Sequence, residues 1–218
     1  VGNPYPSNID FTKLTRTNVN GAFYLHISNS SWGVYNAGLG VGDVPVNEFI
    51  APGQGFFVAA SESGSITFTN AARTHTAGPF YKKSSAVSNM VRLEISGNGY
   101  KDEAAVRIAE GSTNMFDGEW DGHKIFGDVS GSAQIYTLGD IPLAINAIPE
   151  ASTLILGTRI GATGNYTIAA TEINDLQNVK LEDTKTGIIT DLTSKSYTFE
   201  FTAGENESRF KLHFTALG

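Results

Sequence analysis

The chain contains no cysteine, which excludes disulfides, thiolate metal sites and a cysteine nucleophile together. Positive charge is also scarce: 15 Lys and Arg stand against 22 Asp and Glu, for a net charge of −7. Phosphate backbones are held by clustered Lys and Arg, and the only close pair, Lys82-Lys83, reads as solvated surface, so no nucleic-acid partner is expected. No apolar run approaches the ~18 residues of a membrane helix, so no membrane insertion is expected either. The opening VGNPYPSNID has neither the basic nor the apolar region of a secretory leader and reads as the cut start of a soluble piece of something longer.

What the chain does have is 24 Gly and 11% aromatic residues against only 17% charged ones, a composition suited to strands and tight turns. At 218 residues it has room for one large β-domain or two smaller ones, at roughly 100 to 200 residues per domain. Phe23, Leu25 and Ile27 alternate with Tyr24 and His26 as a strand, and Trp32 to Tyr35 is its expected partner across a polar turn at 28–31. The Gly-rich run 36–43 is too small-sided to pack and reads as a loop. Pro52-Gly53-Gln54-Gly55 makes a turn into a strand at 56–60, and with no Lys-Ser/Thr after it the Gly-x-Gly is not a phosphate loop. A second turn is expected at 61–64, before a strand at 66–69.

From residue 72 to 88 the pattern dissolves, and a boundary is placed at 84–89. Beyond it Val91, Leu93 and Ile95 alternate up to Gly97-Asn98-Gly99, where Asn-Gly supplies the positive φ angles of a type I′ hairpin. Ala104, Val106 and Ile108 follow with the period of a half-buried strand. Further strands are expected at 134–137, 143–146, 153–159, 166–170, 179–182 and 188–190, the last two joined by a DTKTG turn with Gly187 left-handed. One short helical turn is expected at 171–176. Tyr197, Phe199 and Phe201, then Phe210, Leu212 and Phe214, are the clearest core strands, with Phe199 and Phe210 inward and Glu200 outward. Regular short strands without a helical period predict an all-β fold of two packed β-sandwich halves, jelly-roll or Ig-like: 1–86, truncated at its start, and 87–218.

An ordered set of segments carries a family likeness: VGNPYPSNID, IAPGQGFFV, the pair Arg73-x-His75, VRLEISGNGYKDEAAVRI, STNMFDGEWDGHKIFG, QIYTL, VKLEDTKTGIITDL, YTFEF and RFKLHF. Together they resemble the non-catalytic region that precedes the C-terminal sorting domain in large proteins of Bacteroidota exported by the type IX secretion system. The resemblance implies a β-sandwich scaffold at an extracellular or outer cell-surface location, and no reaction. The chain lacks that pattern's signal peptide and sorting domain, and Gly122 stands where the family often has Ala, a change expected to loosen the loop around it.

Three constellations bear on function. Asp117, Glu119 and Asp121 lie two residues apart, with Gly122 after them and Asp128 where a twelve-residue calcium loop places its last carboxylate. Alternate carboxylates can converge on a hard cation, so calcium is the expected cofactor, with Asp102 as a further donor. Against it, Glu replaces Asp or Asn at the third position, strands flank the loop, and an acidic loop can simply be solvated. Trp32, Tyr35 and Trp120 lie in or beside loops, where aromatic faces can stack on sugars, whereas indoles are on average mostly buried. Catalysis has the least support. His26 and His213 fall on outward strand phases, His75 and His123 in loops, there is no Gly-x-Ser-x-Gly elbow, and Glu103, Glu110 and Glu119 pair no better than the acids of any acidic chain. The expected function is a non-catalytic surface module for adhesion or scaffolding, whose partner is a polysaccharide or another surface protein. A carbohydrate-binding module is the alternative, and a hydrolase without a recognisable signature the second.

Overall fold

The computed structural model describes residues 1–43, 45–75 and 87–216. The boundary at 84–89 and the pair Lys82-Lys83 fall wholly or partly outside them. The first part carries β1 (Asn8–Asp10), β2 (Thr15–Ser28), β3 (Ser31–Asn36), β4 (Val41–Gly42), β5 (Phe49–Ile50), β6 (Phe57–Thr67) and β7 (Arg73–Thr74). They form a three-stranded sheet in the order β5-β1-β7 and a four-stranded sheet in the order β4-β3-β2-β6. One face of the four-stranded sheet closes on the three-stranded sheet over Phe11, Phe23, Tyr35 and Phe56, and Phe11 meets Phe23 at 4.7 Å between ring centroids.

The second part carries β8 (Met90–Gly97), β9 (Tyr100–Ile108), β10 (Gly122–His123), β11 (Ala133–Leu138), β12 (Pro142–Ile148), β13 (Thr153–Ile160), β14 (Gly164–Asn174), β15 (Leu176–Asp183), β16 (Ile188–Asp191), β17 (Tyr197–Phe201) and β18 (Phe210–Ala216). All belong to one sheet, in the order β16-β15-β18-β13-β11-β12-β9-β8-β14-β17, with β10 on β12. A sheet this wide curls to bury one face on itself. Phe199 of β17 and Phe210 of β18, far apart in strand order, meet at 4.8 Å inside the roll, beside Tyr166, Leu93, Ile135 and Leu212. The architecture is all-β, with sheets packed as sandwiches that approach a barrel. The inward phase expected for Phe199 and Phe210 is the observed one, since both are buried.

Several local expectations give way to tertiary context. Residues 61–64 do not turn, because β6 runs through them as the edge of its sheet, where polar side chains face water. Gly64 is needed there: a Cβ would sit 2.5 Å from the Thr17 carbonyl oxygen of β2. Residues 171–176 are not helical; β14 continues to Asn174 through a bulge at Ala170/Glu172, and Asp175 turns the chain with φ +52°. β9 is more than a half-buried strand. Ala104 and Val106 enter the large core, while Ala105 faces a separate cluster with Ala22, Tyr24, Val34, Met90, Ala144 and Ala147. Alanines on that face let the second face of the four-stranded sheet lie close against the large sheet, so a single cluster joins the two parts.

Candidate functional site

The acidic loop is the stitching between those parts. Asp121, 1% exposed, accepts the Ala147 N–H on Oδ1 and the Asp117 N–H on Oδ2, both at 2.7 Å. Burial pushes its carboxyl up to about 6, although the same two donors favour the charged form. Asp117 Oδ1 accepts the Glu119 N–H, and Glu119 pairs with Arg16 at 3.3 Å. Buried Asn36 reaches across from β3, its amide donating to the Glu119 and Asp121 carbonyls while its oxygen accepts the Leu39 N–H. The Gly21 N–H donates to the Gly118 carbonyl at 2.7 Å, an approach so close that a Cβ on Gly21 would overlap the Glu119 oxygen. Gly122 does not loosen this loop: it is buried in β10, where an added Cβ would stand 3.0 Å from Val34.

The five carboxylates expected to hold calcium are thus divided. Asp117, Glu119 and Asp121 remain neighbours, but Asp121 is taken up by backbone donors and Glu119 by a cation. Asp102 lies elsewhere, on Lys124 and on the Ile135 N–H at 2.7 Å. Asp128 is placed by its own N–H on the Asn29 carbonyl. Among the described residues no group of three or more His, Cys, Asp or Glu side chains is arranged to hold a metal ion.

The aromatic candidates separate as well. Tyr35 is buried at 5% exposure against Phe23, so it has no face to offer a sugar, and burial raises its hydroxyl pKa. Its position on β3 puts it on the face that packs inward. Trp120 packs its half-buried ring on the cluster between the two parts. Trp32 is half-buried against the same cluster, and His26 (5.0 Å) and the exposed Phe57 (5.3 Å) meet its ring edge to face.

Beside Trp32 lies a cleft of about 250 Å³ between the β3 side of the four-stranded sheet and the β8–β9 hairpin. Trp32, Ile27 and Pro45 give it apolar surface, and Asp43, Glu94, Asp102 and Glu103 give it carboxylates. The hairpin is held by the turn expected from Asn-Gly, with Asn98 at φ +50° and Gly99 at φ +80°. Asp43 is placed by backbone bonds from its N–H to the Val34 carbonyl and from the Val46 N–H to its own carbonyl. Its side chain is buried, with Oδ1 lacking any hydrogen-bond partner. Burial drives that carboxyl up to about 7 even though Lys124 and Arg92 pull it down. Sequence reasoning missed Asp43; the available signal was one acid among Gly, Val and Pro, in GVGDVPV.

Two polar arrays outside the cleft are structural. Thr153 Oγ1, His213 and Glu182 form a hydroxyl–imidazole–carboxylate line at 2.9 and 2.8 Å, as a nucleophilic triad would. Thr153 and His213 stand directly opposite one another across β13 and β18, and Glu182 reaches His213 diagonally from β15, where its own register partner is Lys211, so the array is a polar ladder that ties those strands. His123, in β10, stacks on Phe116 at 4.3 Å and has its pKa lowered by burial.

The profile of DUF8693, a domain of unknown function, matches residues 21–214. The chain belongs to this family. The match takes in the second part, the acidic loop and the first part except β1 and the start of β2. No curated protein and no solved structure matches the chain.

Proposed function

We propose that this DUF8693 chain is a non-catalytic surface module of a secreted protein, holding a carbohydrate in the Trp32 cleft and so serving adhesion. The observation that carries this reading is the cleft itself. Ligand sites favour junctions between packed units, and they combine apolar or aromatic surface with a few polar groups. Here a half-buried indole stands beside carboxylates that can accept hydroxyl hydrogens. At about 250 Å³ the cleft suits one ring of a longer chain, which would continue over exposed Phe57 and Ile27. The secreted, surface location rests on the resemblance to regions preceding type IX sorting domains. Among the described residues no helix is long and apolar enough to cross a membrane.

Affinity electrophoresis against a panel of polysaccharides tests the reading. Retention should fall in Trp32→Ala and persist in Trp120→Ala, because stacking by a ring face supplies both apolar contact and geometry. Equal retention of Trp32→Ala and the parent would remove the cleft from consideration. Release of reducing ends during the same incubation would replace a binding module by a hydrolase.

A further inference from the structure

Four carboxylates line the Trp32 cleft, and three of them have a cation of the protein at close range. Glu94 takes Lys101 at 2.9 Å, Asp102 takes Lys124, and Glu103 takes Arg92 at 3.4 Å. Arg92 is itself divided, since its Nε also donates to Glu172. Asp43 is the exception: it is 6% exposed, it has no ion pair among the described residues, and its buried Oδ1 has no hydrogen-bond partner, although Lys124 and Arg92 act on the carboxyl electrostatically. A buried carboxylate without a hydrogen-bond partner is costly, and groups that break the pairing rule concentrate at functional or strained sites. Among the described residues the four carboxylates have three close cations between them, leaving Asp43 without one, and an aromatic ring, a favourable neighbour for an ammonium, lines the same cleft.

We propose that the ligand supplies that charge: the cleft takes an amino sugar, its ring on Trp32 and its ammonium on Asp43. This deepens the carbohydrate reading and rests on it. The raised pKa of Asp43 gives the complex a signature, because an arriving ammonium favours the carboxylate and expels the proton Asp43 holds near neutrality. Arg92, Lys124, Asp102 and Glu103 act on Asp43 in the free and bound states alike.

The test is calorimetric titration at physiological salt with four tetramers: glucosamine, its N-acetylated form, a neutral glucose oligomer and lysine. The glucosamine tetramer should bind about tenfold tighter than the two uncharged sugars, the effect of one charge-assisted hydrogen bond. Near pH 6.5 it should release up to about one proton per site, read from the dependence of heat on buffer. Asp43→Asn should bring the three sugars within about threefold of one another without weakening the neutral oligomer, and should abolish the proton release. Equal affinity for glucosamine and N-acetylglucosamine tetramers in the parent would overturn the amine assignment and leave the carbohydrate reading standing. Lysine tetramer binding as tightly as glucosamine tetramer would overturn the sugar part of the assignment. Failure of every sugar to bind would overturn the carbohydrate reading itself.

Discussion

Replacing Asp43 by Asn should stabilise the protein at neutral and alkaline pH. In the folded chain this carboxyl is raised to about 7, whereas an unfolded one ionises near ~3.9. A group raised in this way contributes its stability fully below the unfolded pKa and loses it as pH rises through the folded one. The loss is bounded by three units at ~1.36 kcal/mol each, about 4 kcal/mol above pH 8. Asn keeps the shape and both backbone hydrogen bonds of residue 43, but its amide must also be desolvated at ~1 to 3 kcal/mol. A net gain of about 1 to 3 kcal/mol is therefore expected at pH 8, or ~2 to 4 °C in Tm per kcal/mol for a chain of this size. The gain should shrink steadily between pH 8 and pH 4, where the parent's Asp43 is neutral and the two proteins differ by one uncharged group. Thermal unfolding of both proteins across that range is the assay. A difference that does not change with pH, or a variant less stable at pH 8, would refute the argument that Asp43 is a buried, unpartnered acid.

Arg209→Ala should cost ~3 to 5 kcal/mol in urea unfolding at pH 7, because Asp183, fully buried, loses the bidentate partner at 2.6 and 2.8 Å that holds its carboxyl well below the usual range. Burial alone would raise Asp183, so the cost should fall toward pH 3, where the stranded carboxylate takes up a proton; a pH-independent cost would contradict the pairing. Phe199→Ala should cost ~3 to 5 kcal/mol through a cavity beside Phe210 and Tyr166, with denaturant unfolding as the measure and an unchanged midpoint as the contrary result. Glu200→Ala should change stability by less than ~0.5 kcal/mol, since its side chain is exposed and only its carbonyl is used, by Arg209. Millimolar calcium added to chelator-treated protein should leave Tm unmoved; a saturable gain reaching ~2.7 kcal/mol at 100 times the dissociation constant would show that the acidic loop rearranges to bind it.

Alternation of apolar and polar residues makes most of the strands legible in the sequence. It succeeds wherever one face of a strand is wet and the other packed, as for Phe199 and Phe201 or Phe210 and Leu212, and a demanding turn is equally legible, as at Asn98-Gly99 and Gly187. It fails at β6, where an edge strand carries the polar residues of a turn, and at β9, whose outer face holds alanines that local pattern cannot tell from a solvated surface. Tyr35 meets the same limit. Its neighbours Trp32 and Gly33 suggest a loop margin, but the face it occupies is decided by the three-stranded sheet that packs against it, formed by residues 8–10, 49–50 and 73–74. The cleft is invisible in the sequence for a related reason, since Asp43 and Glu103 meet only because β3 and the β8–β9 hairpin are brought together across separate sheets.

The acidic residues show how a motif can be present in spacing and absent in space. A calcium loop works because several carboxylates converge on one strong positive charge. In this loop the positive ends of backbone dipoles take that place: Asp121 satisfies both oxygens on two N–H groups, and its carbonyl and that of Glu119 accept the Asn36 amide. The Asp117 N–H closes the loop on itself, while the other bonds tie residues 117–121 to β12 through Ala147 and to β3 through Asn36. Around the rest of the interface between the two parts, Glu94, Asp102, Glu103, Asp117 and Glu119 each have a donor or a cation. Asp43 differs from all of them: its buried Oδ1 has no hydrogen-bond partner, and the residue lines a cleft together with an indole. An acid left over in a solvated loop would mean little, because water completes it. An acid left over under 6% exposure is costly, and among the described residues no cation pairs with it, which is why a ligand's ammonium is the partner proposed for it.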